Sequence, residues 1–274
     1  MQADSPGAHV VTAPAAFYTG RHAELYDLFY RDKDYRAEAA FIHSLLRNLG
    51  SAPTSRLLEL ACGTGSHALE FHQLGYDVWA LDSSISMVEV ARRKARSAGA
   101  VGITFRCEDM RAFSVEDGAF DAAVCLFDSI GYVQTNESVF AVLERVQKSL
   151  RMGGLFIFEF WSAAALLRNY EPLRIRRWSL SDREVLRISE TKLDFPSQVC
   201  EVSYSVYELF RNGTYSSFVE EQKNRYFLVQ EMLFLLRSAG LTPLRCYAGF
   251  SLDEPLTEDT WHVVAVAQRS SANP

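Results

Sequence analysis

The segment Glu59-Leu-Ala-Cys-Gly-Thr-Gly-Ser-His67 is the most informative part of the chain. The apolar run at 57–60 that leads into it predicts a buried strand, and residues 66–74 that follow predict a helix. Gly63 and Gly65 permit a tight turn in which a ligand can approach the backbone closely. Open α/β sheets bind ligands at this position, outside the carboxyl end of a strand.

Strands and helices alternate downstream of this loop. Strands are predicted at 78–81, 103–105, 122–127 and 155–160, and helices at 84–95 and 139–150. Gly153-Gly154 is expected to end the second of these helices, and Gly50 is expected to end an upstream amphipathic helix as a left-handed stop. Short strands that are apolar throughout are typical of parallel sheets buried on both faces. The sequence therefore predicts a doubly wound, mostly parallel α/β sheet.

The hydrophobic period changes to two at about 174–226, which predicts an antiparallel β insertion after the fifth strand. Asn212-Gly213 lies between two alternating runs and favours a two-residue hairpin. A helix stopped by Gly240 and strands at 243–250 and 262–266 then complete the main sheet. We expect a flexible N-terminal arm at 1–16, a single domain at 17–268 and a tail at 269–274.

Composition limits the class of protein. The chain has 274 residues, a formal net charge of −6 and 48% hydrophobic residues, which is typical of a soluble globular protein. The five scattered cysteines form no C-x-x-C pair and indicate a reducing compartment, expected to be the cytoplasm. The sequence has no signal-peptide pattern and no apolar run of membrane length, so no membrane partner is expected. The acidic balance argues against a nucleic-acid partner, which needs a basic face.

A carboxylate at the end of the second predicted strand adds to the glycine loop. Asp82 follows Gly63 by 19 residues and can accept hydrogen bonds from both ribose hydroxyls of a nucleoside. Alone, the two glycines would be explained by a tight turn and Asp82 by a helix cap. Because the two features occur at the ends of successive strands, nucleoside binding is favoured. The pattern from Gly63 to Ala68 also fits G-x-G-x-x-A, so an NAD(P)-dependent oxidoreductase is an alternative. Glu59 favours a ligand with an ammonium and a sulfonium over a pyrophosphate.

Four motifs occur in order along the chain: E-L-A-C-G-T-G from Glu59, A-L-D-S-S-x-S-M ending at Met87, C-E-D-M ending at Met110, and F-D-A-A-V-C-L-F-D-S around Asp128. In this order they resemble the motif series of class I S-adenosylmethionine-dependent methyltransferases, over roughly residues 18–268. The resemblance implies a Rossmann-like, seven-stranded sheet, S-adenosylmethionine as cofactor and a small-molecule acceptor. No metal is implied, because the methyl donor is already activated.

The resemblance also implies a set of cofactor-binding residues. The residues of the glycine loop would border the methionine part of S-adenosylmethionine, and one carboxylate would bind its ribose. The residues after the second and third strands would surround its adenine. In that order the set is Glu59, Ala61, Gly63 and Gly65, then Asp82, then Met87, Asp109 and Met110, with Phe127 after the fourth strand. Ala61 stands where the family has its first glycine. Asp109 is expected to accept a hydrogen bond from the exocyclic amine of the adenine.

Within this class, the stretches Tyr26-Asp-Leu-Phe29, Lys33-Asp-Tyr35 and Phe127-Asp-Ser-Ile-Gly-Tyr132 are similar to nucleotide-aminosugar N,N-dimethyltransferases and their small-molecule relatives. The similarity implies N-methylation of the amine of an aminosugar or related metabolite. Small-molecule O-methylation is the alternative within the class. In such relatives the insertion forms part of the acceptor pocket and of a dimer contact, so a homodimer through the insertion is expected.

Candidate acceptor-site residues follow the fourth and fifth strands or lie near the N-terminus. Methyl transfer mainly requires alignment of the nucleophile and exclusion of water, and an amine must be neutral when it attacks, so a base helps. The catalytic candidates are Tyr132 and Glu159. The substrate-binding candidates are Tyr18, Tyr26, Asp128 and Trp161, with His22 and His262 as further possibilities.

Two interpretations stay open beside these. Arg174, Arg176 and Arg177, near Trp178, are able to pair with a phosphate-bearing acceptor, although such a cluster is more often a solvated strand face. Because no side chain stands out as the catalytic base, a non-enzymatic module with a vestigial cofactor loop is also an alternative.

Overall fold

The computed structural model describes residues 18, 20–50 and 52–270. The predicted arm at 1–16 and residues 271–274 of the predicted tail lie outside this range. The helices are α1 (Gly20–Phe29), α2 (Tyr35–Leu49), α3 (Ser66–Gln73), α4 (Ile85–Ser97), a 3-10 helix (Ser129–Val133), α5 (Asn136–Ser149), α6 (Ala163–Asn169) and α7 (Val229–Ser238). The strands are β1 (Arg56–Leu60), β2 (Asp77–Asp82), β3 (Thr104–Cys107), β4 (Phe120–Cys125), β5 (Leu150–Trp161), β6 (Leu173–Ser179), β7 (Arg183–Asp194), β8 (Val199–Phe210), β9 (Tyr215–Arg225), β10 (Leu241–Ala248) and β11 (His262–Arg269).

Seven strands form the main sheet in the order β10-β11-β5-β4-β1-β2-β3. The strands from β5 to β3 pair in parallel, whereas β11 pairs antiparallel with β5 and β10 antiparallel with β11. The doubly wound, mostly parallel sheet predicted from the sequence is therefore confirmed. The carboxyl ends of β1, β2, β4 and β5 meet at one edge, which brings together the chain segments that follow them.

Helices cover both faces of the main sheet. On one face, α5 and α7 pack on alternate strand residues such as Leu58 and Phe158. On the other face, α2, α3 and α4 pack on the intervening residues, among them Leu57 and Ile157. Burial on both faces explains why these strands are apolar at nearly every position, because each side chain meets a helix layer whichever way it points.

The insertion forms a four-stranded antiparallel sheet in the order β6-β7-β8-β9. We define its inner face by Trp178, Val185 and Val206, which pack on Leu25 and Phe29 of α1. Helix α1 also contacts α4 of the main layer, so it lies between the two sheets. The opposite, outer face exposes apolar side chains, including Ile175 at 59% and Val219 at 66% of their full accessibility. The homodimer contact expected there stays a prediction.

Three turn predictions were wrong. Gly50 has φ −67° and ψ 135°, so α2 ends in an extended residue and not in a left-handed one. Gly153 and Gly154 lie inside β5, which begins immediately after α5 at Leu150. The hairpin between β8 and β9 has a four-residue loop, 211–214, in which Gly213 has φ 85° while Asn212 has no positive φ.

Among the described helices, none combines the length and the apolar character needed to cross a bilayer.

Candidate active site

The loop between β1 and α3 has an unusual backbone. Ala61, Gly63 and Gly65 all have positive φ, at 53°, 54° and 75°. This left-handed region costs an L-residue about 1–2 kcal/mol, so glycine is the residue best suited to it. A Cβ on Gly63 would meet no atom within 4 Å, whereas one on Gly65 would lie 3.0 Å from both Ala91 Cβ and Phe105 Cε1. The two glycines therefore have different roles, an open surface at Gly63 and close packing at Gly65.

This difference gives a stability prediction. Gly63→Ala is expected to lower the free energy of unfolding by about 1 kcal/mol, from backbone strain alone. Gly65→Ala is expected to cost more, about 2–4 kcal/mol, because the new methyl group also overlaps two side chains. Urea unfolding of both variants measures the two losses. Equal losses would contradict the assignment of close packing to Gly65.

Asp82 binds the loop from the end of β2. Its Oδ2 accepts from the Gly63 N–H at 2.9 Å, and its Oδ1 accepts from the Ser84 N–H at 2.8 Å. Burial raises the pKa of Asp82 above its ordinary value, and these two N–H donors partly offset that shift. Each carboxylate oxygen keeps a second lone pair, so the group can still accept hydrogen bonds from a ligand.

A cleft lies beside the loop, below α1. Five of the predicted residues line it: Tyr26, Glu59, Ala61, Gly63 and Phe127. Glu59 is 2% exposed and its Oε2 has no hydrogen-bond partner among the described residues. Burial, with a smaller contribution from Asp82, raises the pKa of Glu59 well above its ordinary value. A buried carboxyl oxygen that has no partner within the described part of the chain fits the cationic end of S-adenosylmethionine, and the open side of Gly63 fits close approach of a ligand.

The residues predicted to surround the adenine are not equally available. Met87 is 1% exposed and packs with Ala23 and Tyr26 of α1. Met110 is 8% exposed and joins the α5 side of the core. The carboxylate of Asp109 is held by the Arg111 side chain, with Nε at 2.9 Å from Oδ1 and Nη2 at 2.5 Å from Oδ2. Burial opposes this effect, but the hydrogen bonds from Arg111 lower the pKa of Asp109. The three adenine contacts stay predictions.

Helix α1 is tied to this edge of the sheet by polar contacts. Thr64 Oγ1, in the glycine loop, donates to Asp27 Oδ1 at 2.6 Å, and Ser84 Oγ donates to the Tyr18 carbonyl at 2.9 Å. The Tyr30 ring, just after the helix, meets Phe127 edge-to-face at a centroid distance of 4.9 Å. The helix therefore lies against the cleft, which Tyr26 helps to line.

A cluster of three titratable side chains lies at the ends of β4, β5 and β11. His262 Nδ1 is 2.9 Å from Asp128 Oδ2 and 2.8 Å from Glu159 Oε1. Glu159 Oε2 accepts from the Phe127 N–H at 2.6 Å, which joins the cluster to the cleft. Asp128 and Glu159 are both buried, while the His262 side chain is 41% exposed. One ligand atom from each residue lies within 4.8 Å of the others, so the set could also hold a metal ion.

The cluster shifts the pKa values of its members. Burial and the neighbouring Glu159 raise the pKa of Asp128 to about 7, although His262 and Lys33 act in the opposite direction. Desolvation lowers the pKa of His262, but the two carboxylates outweigh it and raise that pKa to about 10. The raised pKa of His262 makes it a cation at neutral pH, whereas the raised pKa of the Asp128 carboxylate makes it a stronger base than an ordinary carboxylate, which suits Asp128 and not His262 to accept a proton.

The predicted catalytic Tyr132 lies in a group of tyrosines near α1. Its hydroxyl hydrogen-bonds to that of Tyr18, which donates to Gln222 Oε1 at 2.9 Å. The Tyr18 ring meets the Tyr26 and Tyr132 rings edge-to-face at 5.5 and 5.8 Å. Burial raises the pKa of Tyr132 well above its ordinary value. Tyr132 is therefore a neutral hydrogen-bonding group, and it is a poorer base than Asp128.

The structure separates the remaining candidates from the cleft. Trp161 is the direct register partner of His262 in the β5–β11 pairing, and its side chain packs with Tyr226 and Trp261 below the insertion. His22 is 1% exposed and its Nδ1 lies 2.7 Å from Glu220 Oε2, so it joins α1 to β9. The sequence included His262 only as a further possibility, because its partners are more than 100 residues away and only the β5–β11 register brings them together.

Comparison with known proteins agrees with this geometry. Residues 57–154 match a protein family described as "Methyltransferase domain". Over 146 residues the chain is 38% identical to the dTDP-3-amino-3,4,6-trideoxy-alpha-D-glucopyranose N,N-dimethyltransferase of Streptomyces venezuelae, across 53% of this chain and 59% of that protein. It is 28% identical over 236 residues to the putative methyltransferase YqeM of Bacillus subtilis, across 85% of this chain and 90% of that protein.

A solved structure supports the same fold. The crystal structure of Streptomyces venezuelae DesVI matches with a TM-score of 0.74 and 26% identity, over 90% of this chain and 99% of that one. The resemblance predicted from the sequence is therefore confirmed, and these findings indicate an S-adenosylmethionine-dependent methyltransferase. S-adenosylmethionine is the cofactor that they indicate. They favour this class over the NAD(P)-dependent oxidoreductase. The match to the sugar dimethyltransferase spans little more than half of that protein.

Proposed function

We propose that this protein transfers methyl groups from S-adenosylmethionine to the amine of an aminosugar or a related small molecule. The observation that carries the proposal is the pair of buried carboxylates, Asp128 and Glu159, beside the cleft-lining residue Phe127. Glu59, Asp82 and the loop from Ala61 to Gly65 would hold the cofactor. When bound, S-adenosylmethionine supplies a methyl group that is already activated by its sulfonium.

The carboxylates suit an amine acceptor. Amines of metabolites are mostly protonated at neutral pH, and an ammonium group is attracted to buried carboxylates. The amine must lose a proton before its nitrogen lone pair can attack. Asp128, with a pKa of about 7, can take that proton while Glu159 and His262 hold it in place. The proton moves from the amine nitrogen to a carboxylate oxygen.

The same pKa argues for nitrogen over oxygen as the acceptor. An alcohol gives up its proton far less readily than an ammonium group, and a carboxylate with a pKa of about 7 is a weak base for it. No metal ion is needed for an amine, whereas activation of a hydroxyl group gains from one. N-methylation is therefore our first proposal and O-methylation the second.

The relatives support an aminosugar without establishing it. The S. venezuelae relative is named as an N,N-dimethyltransferase of a dTDP-aminosugar. The chain also matches a relative in Streptomyces fradiae that is named for a related dTDP-aminosugar, at 36% identity over 150 residues. All five cysteines of this chain are free thiols, which supports a cytoplasmic location for such an enzyme.

Two measurements test the proposal. Isothermal titration with S-adenosylmethionine and with NAD identifies the donor, and we expect binding of the first only. The protein is then incubated with S-adenosylmethionine and with pairs of sugars that differ only in an amino or a hydroxyl group. The masses of the products are measured by mass spectrometry. We expect a gain of one or two methyl groups on the amino member of each pair. Methylation of only the hydroxy members would support O-methylation, and methylation of neither would overturn the proposal.

The pH dependence of turnover tests the role of Asp128 separately. Because Asp128 acts in its ionised form, kcat is expected to rise with pH up to about 7 and then to level off. The His262 cation lowers the pKa of Asp128, so His262→Gln should move this rise to higher pH, by about one unit. His72→Gln, on α3, is the matched control and should leave the profile unchanged. A profile that His262→Gln does not move would argue against Asp128 as the base.

A further inference from the structure

Two arginines face each other on the inner face of the insertion sheet. Arg176 of β6 and Arg187 of β7 are direct register partners, two residues before Trp178 and two residues after Val185 respectively. Side chains two residues apart on a strand point to the same face, so both belong to the inner face, toward α1. Like charges directly opposite each other destabilise a sheet. An anion between the two guanidinium groups would relieve this repulsion.

Arg187 is buried and forms no ion pair with any carboxylate of the described residues. It is 5% exposed, and its Nε and Nη1 are buried and lack a hydrogen-bond partner among the described residues. Four aromatic rings surround its guanidinium: Phe29 at 4.8 Å, Tyr204 at 5.0 Å, Trp178 at 5.4 Å and Tyr30 at 5.6 Å. Ring faces offset part of the desolvation of a cation. They leave its N–H donors unsatisfied, and unsatisfied buried donors are costly.

Neighbouring arginines differ, because each has an acidic partner. Arg174 pairs with Glu171 at 2.7 Å, Arg177 with Glu184 at 2.7 Å, and Arg183 with Glu208 at 2.7 Å. For Arg176 and Arg187, no ion pair to a carboxylate is formed within residues 18, 20–50 and 52–270. On strands β6 and β7, within the described residues, the two arginines without an acidic partner are therefore the two that face each other.

This arginine pair is close to the proposed active site. The Tyr30 ring, 5.6 Å from the Arg187 guanidinium, is also 4.9 Å from the ring of Phe127, which lines the cleft. Phe127 in turn donates its N–H to Glu159. The Tyr30 ring therefore lies between the Arg187 guanidinium and Phe127, which places the arginine next to the residues that line the cleft.

We propose that Arg187, with Arg176 beside it, binds an anionic group of the methyl acceptor, a phosphate or a carboxylate. Calling the ligand the acceptor rests on the proposed function. The guanidinium of Arg187 would donate its N–H groups to the anion oxygens, an arrangement for which the guanidinium fork is well suited. The acceptor is then a molecule with a positive amine at one end and a negative group at the other.

Paired acceptors test the inference. An aminosugar is compared with its phosphate ester, and an amino acid with its amide, in the wild type and in Arg187→Gln. We expect the wild type to prefer the anionic member of one pair by at least tenfold in kcat/KM, and the variant to lose that preference while its kcat/KM for the neutral member changes less than about threefold. The pair that shows the preference identifies the anion as phosphate or carboxylate.

Three further variants make the result specific. Arg187→Lys keeps the charge without the fork and should recover only part of the preference. Arg177→Gln, on the outer face and paired with Glu184, is the matched control and should keep it. If Arg187→Gln does not fold, Arg176→Gln replaces it, because Arg176 is exposed. Equal losses of kcat/KM for the anionic and the neutral acceptors would assign Arg187 a packing role and overturn the inference. A preference for the anionic acceptor that survives in both Arg187→Gln and Arg176→Gln would also overturn it.

Anion binding without methyl transfer separates this inference from the proposed function. Thermal unfolding of the wild type is measured with inorganic phosphate and with acetate, since a ligand that binds the folded state raises Tm. We expect one of the two to raise Tm in the wild type and not in Arg187→Gln. If the anion raises Tm in this way but no amine is methylated, the proposed function is wrong and the anion site is supported. If amines are methylated but neither the kcat/KM preference nor the Tm depends on Arg187, the proposed function is supported and the anion site is wrong.

Discussion

Asp82→Asn is expected to weaken S-adenosylmethionine binding by about 10- to 100-fold, measured by isothermal titration. The carboxylate can accept hydrogen bonds from a ribose while it binds the Gly63 and Ser84 N–H groups. An amide has only one accepting oxygen, so the variant must give up either the loop or the ligand. Hydrogen bonds to a charged group contribute about 1.5–3 kcal/mol, which corresponds to the expected range.

Asp77→Asn is the matched control for this experiment. Asp77 begins the same strand, is exposed and lies 3.6 Å from Arg56, so its replacement should change the cofactor Kd less than about twofold. Unfolding of both variants in urea shows whether the loop has been destabilised. An unchanged Kd in Asp82→Asn would mean that the ribose binds elsewhere.

Asp128→Asn is expected to lower kcat for an amine acceptor by about 10²- to 10⁴-fold, the usual contribution of a general base. The cofactor Kd should change little, because Asp128 does not line the cleft beside the glycine loop. The loss should shrink as pH rises, since more of the acceptor then reaches the enzyme already deprotonated. Steady-state kinetics between pH 6 and pH 9 would measure both effects.

Asp253→Asn provides the comparison for Asp128→Asn, because Asp253 is an exposed residue of the loop before β11. Its kcat should equal that of the wild type at every pH. A kcat within about threefold of the wild type in Asp128→Asn would remove Asp128 as the base. A loss of kcat that does not change with pH would indicate that Asp128 only positions the acceptor.

The sequence predicted the main sheet well because its strands and helices are local patterns. The run before Glu59, the glycine loop and the helix after it are read from neighbouring residues, and the structure places them accordingly. Of the five predicted site residues that line the cleft, four belong to this local unit or follow β4, and the fifth, Tyr26, lies in α1. Position after a strand is sufficient to predict that such residues meet, because parallel strands share one carboxyl edge.

The glycine errors have a tertiary cause. Gly154 was expected to end a helix, but a Cβ there would lie 2.9 Å from both the Arg151 and the Asp121 carbonyl oxygens. Glycine is therefore required by the approach of β5 to β4. At Gly50, a Cβ would lie 2.4 Å from the Leu46 carbonyl oxygen, so the residue is constrained by space and not by a positive φ. Residue type alone does not distinguish these reasons for glycine.

The missed partnerships depend on strand register. His262 reaches Asp128 and Glu159 because β11 returns antiparallel beside β5, and Arg176 faces Arg187 because β6 and β7 pair with one particular offset. Hydrophobic alternation indicates which face a residue occupies, but it does not indicate which residue lies opposite. The sequence grouped Arg176 with Arg174 and Arg177, whereas its partner in space is on the next strand.

Helix α1 contributes to two neighbouring regions at once, with Tyr26 in the cleft and Phe29 against the Arg187 guanidinium. A substitution that tilts this helix will disturb both regions together, and donor and acceptor affinities will fall in parallel. Kinetic defects from helix variants would thus combine effects on both ligands, and substitutions on the strands are better suited to separate them.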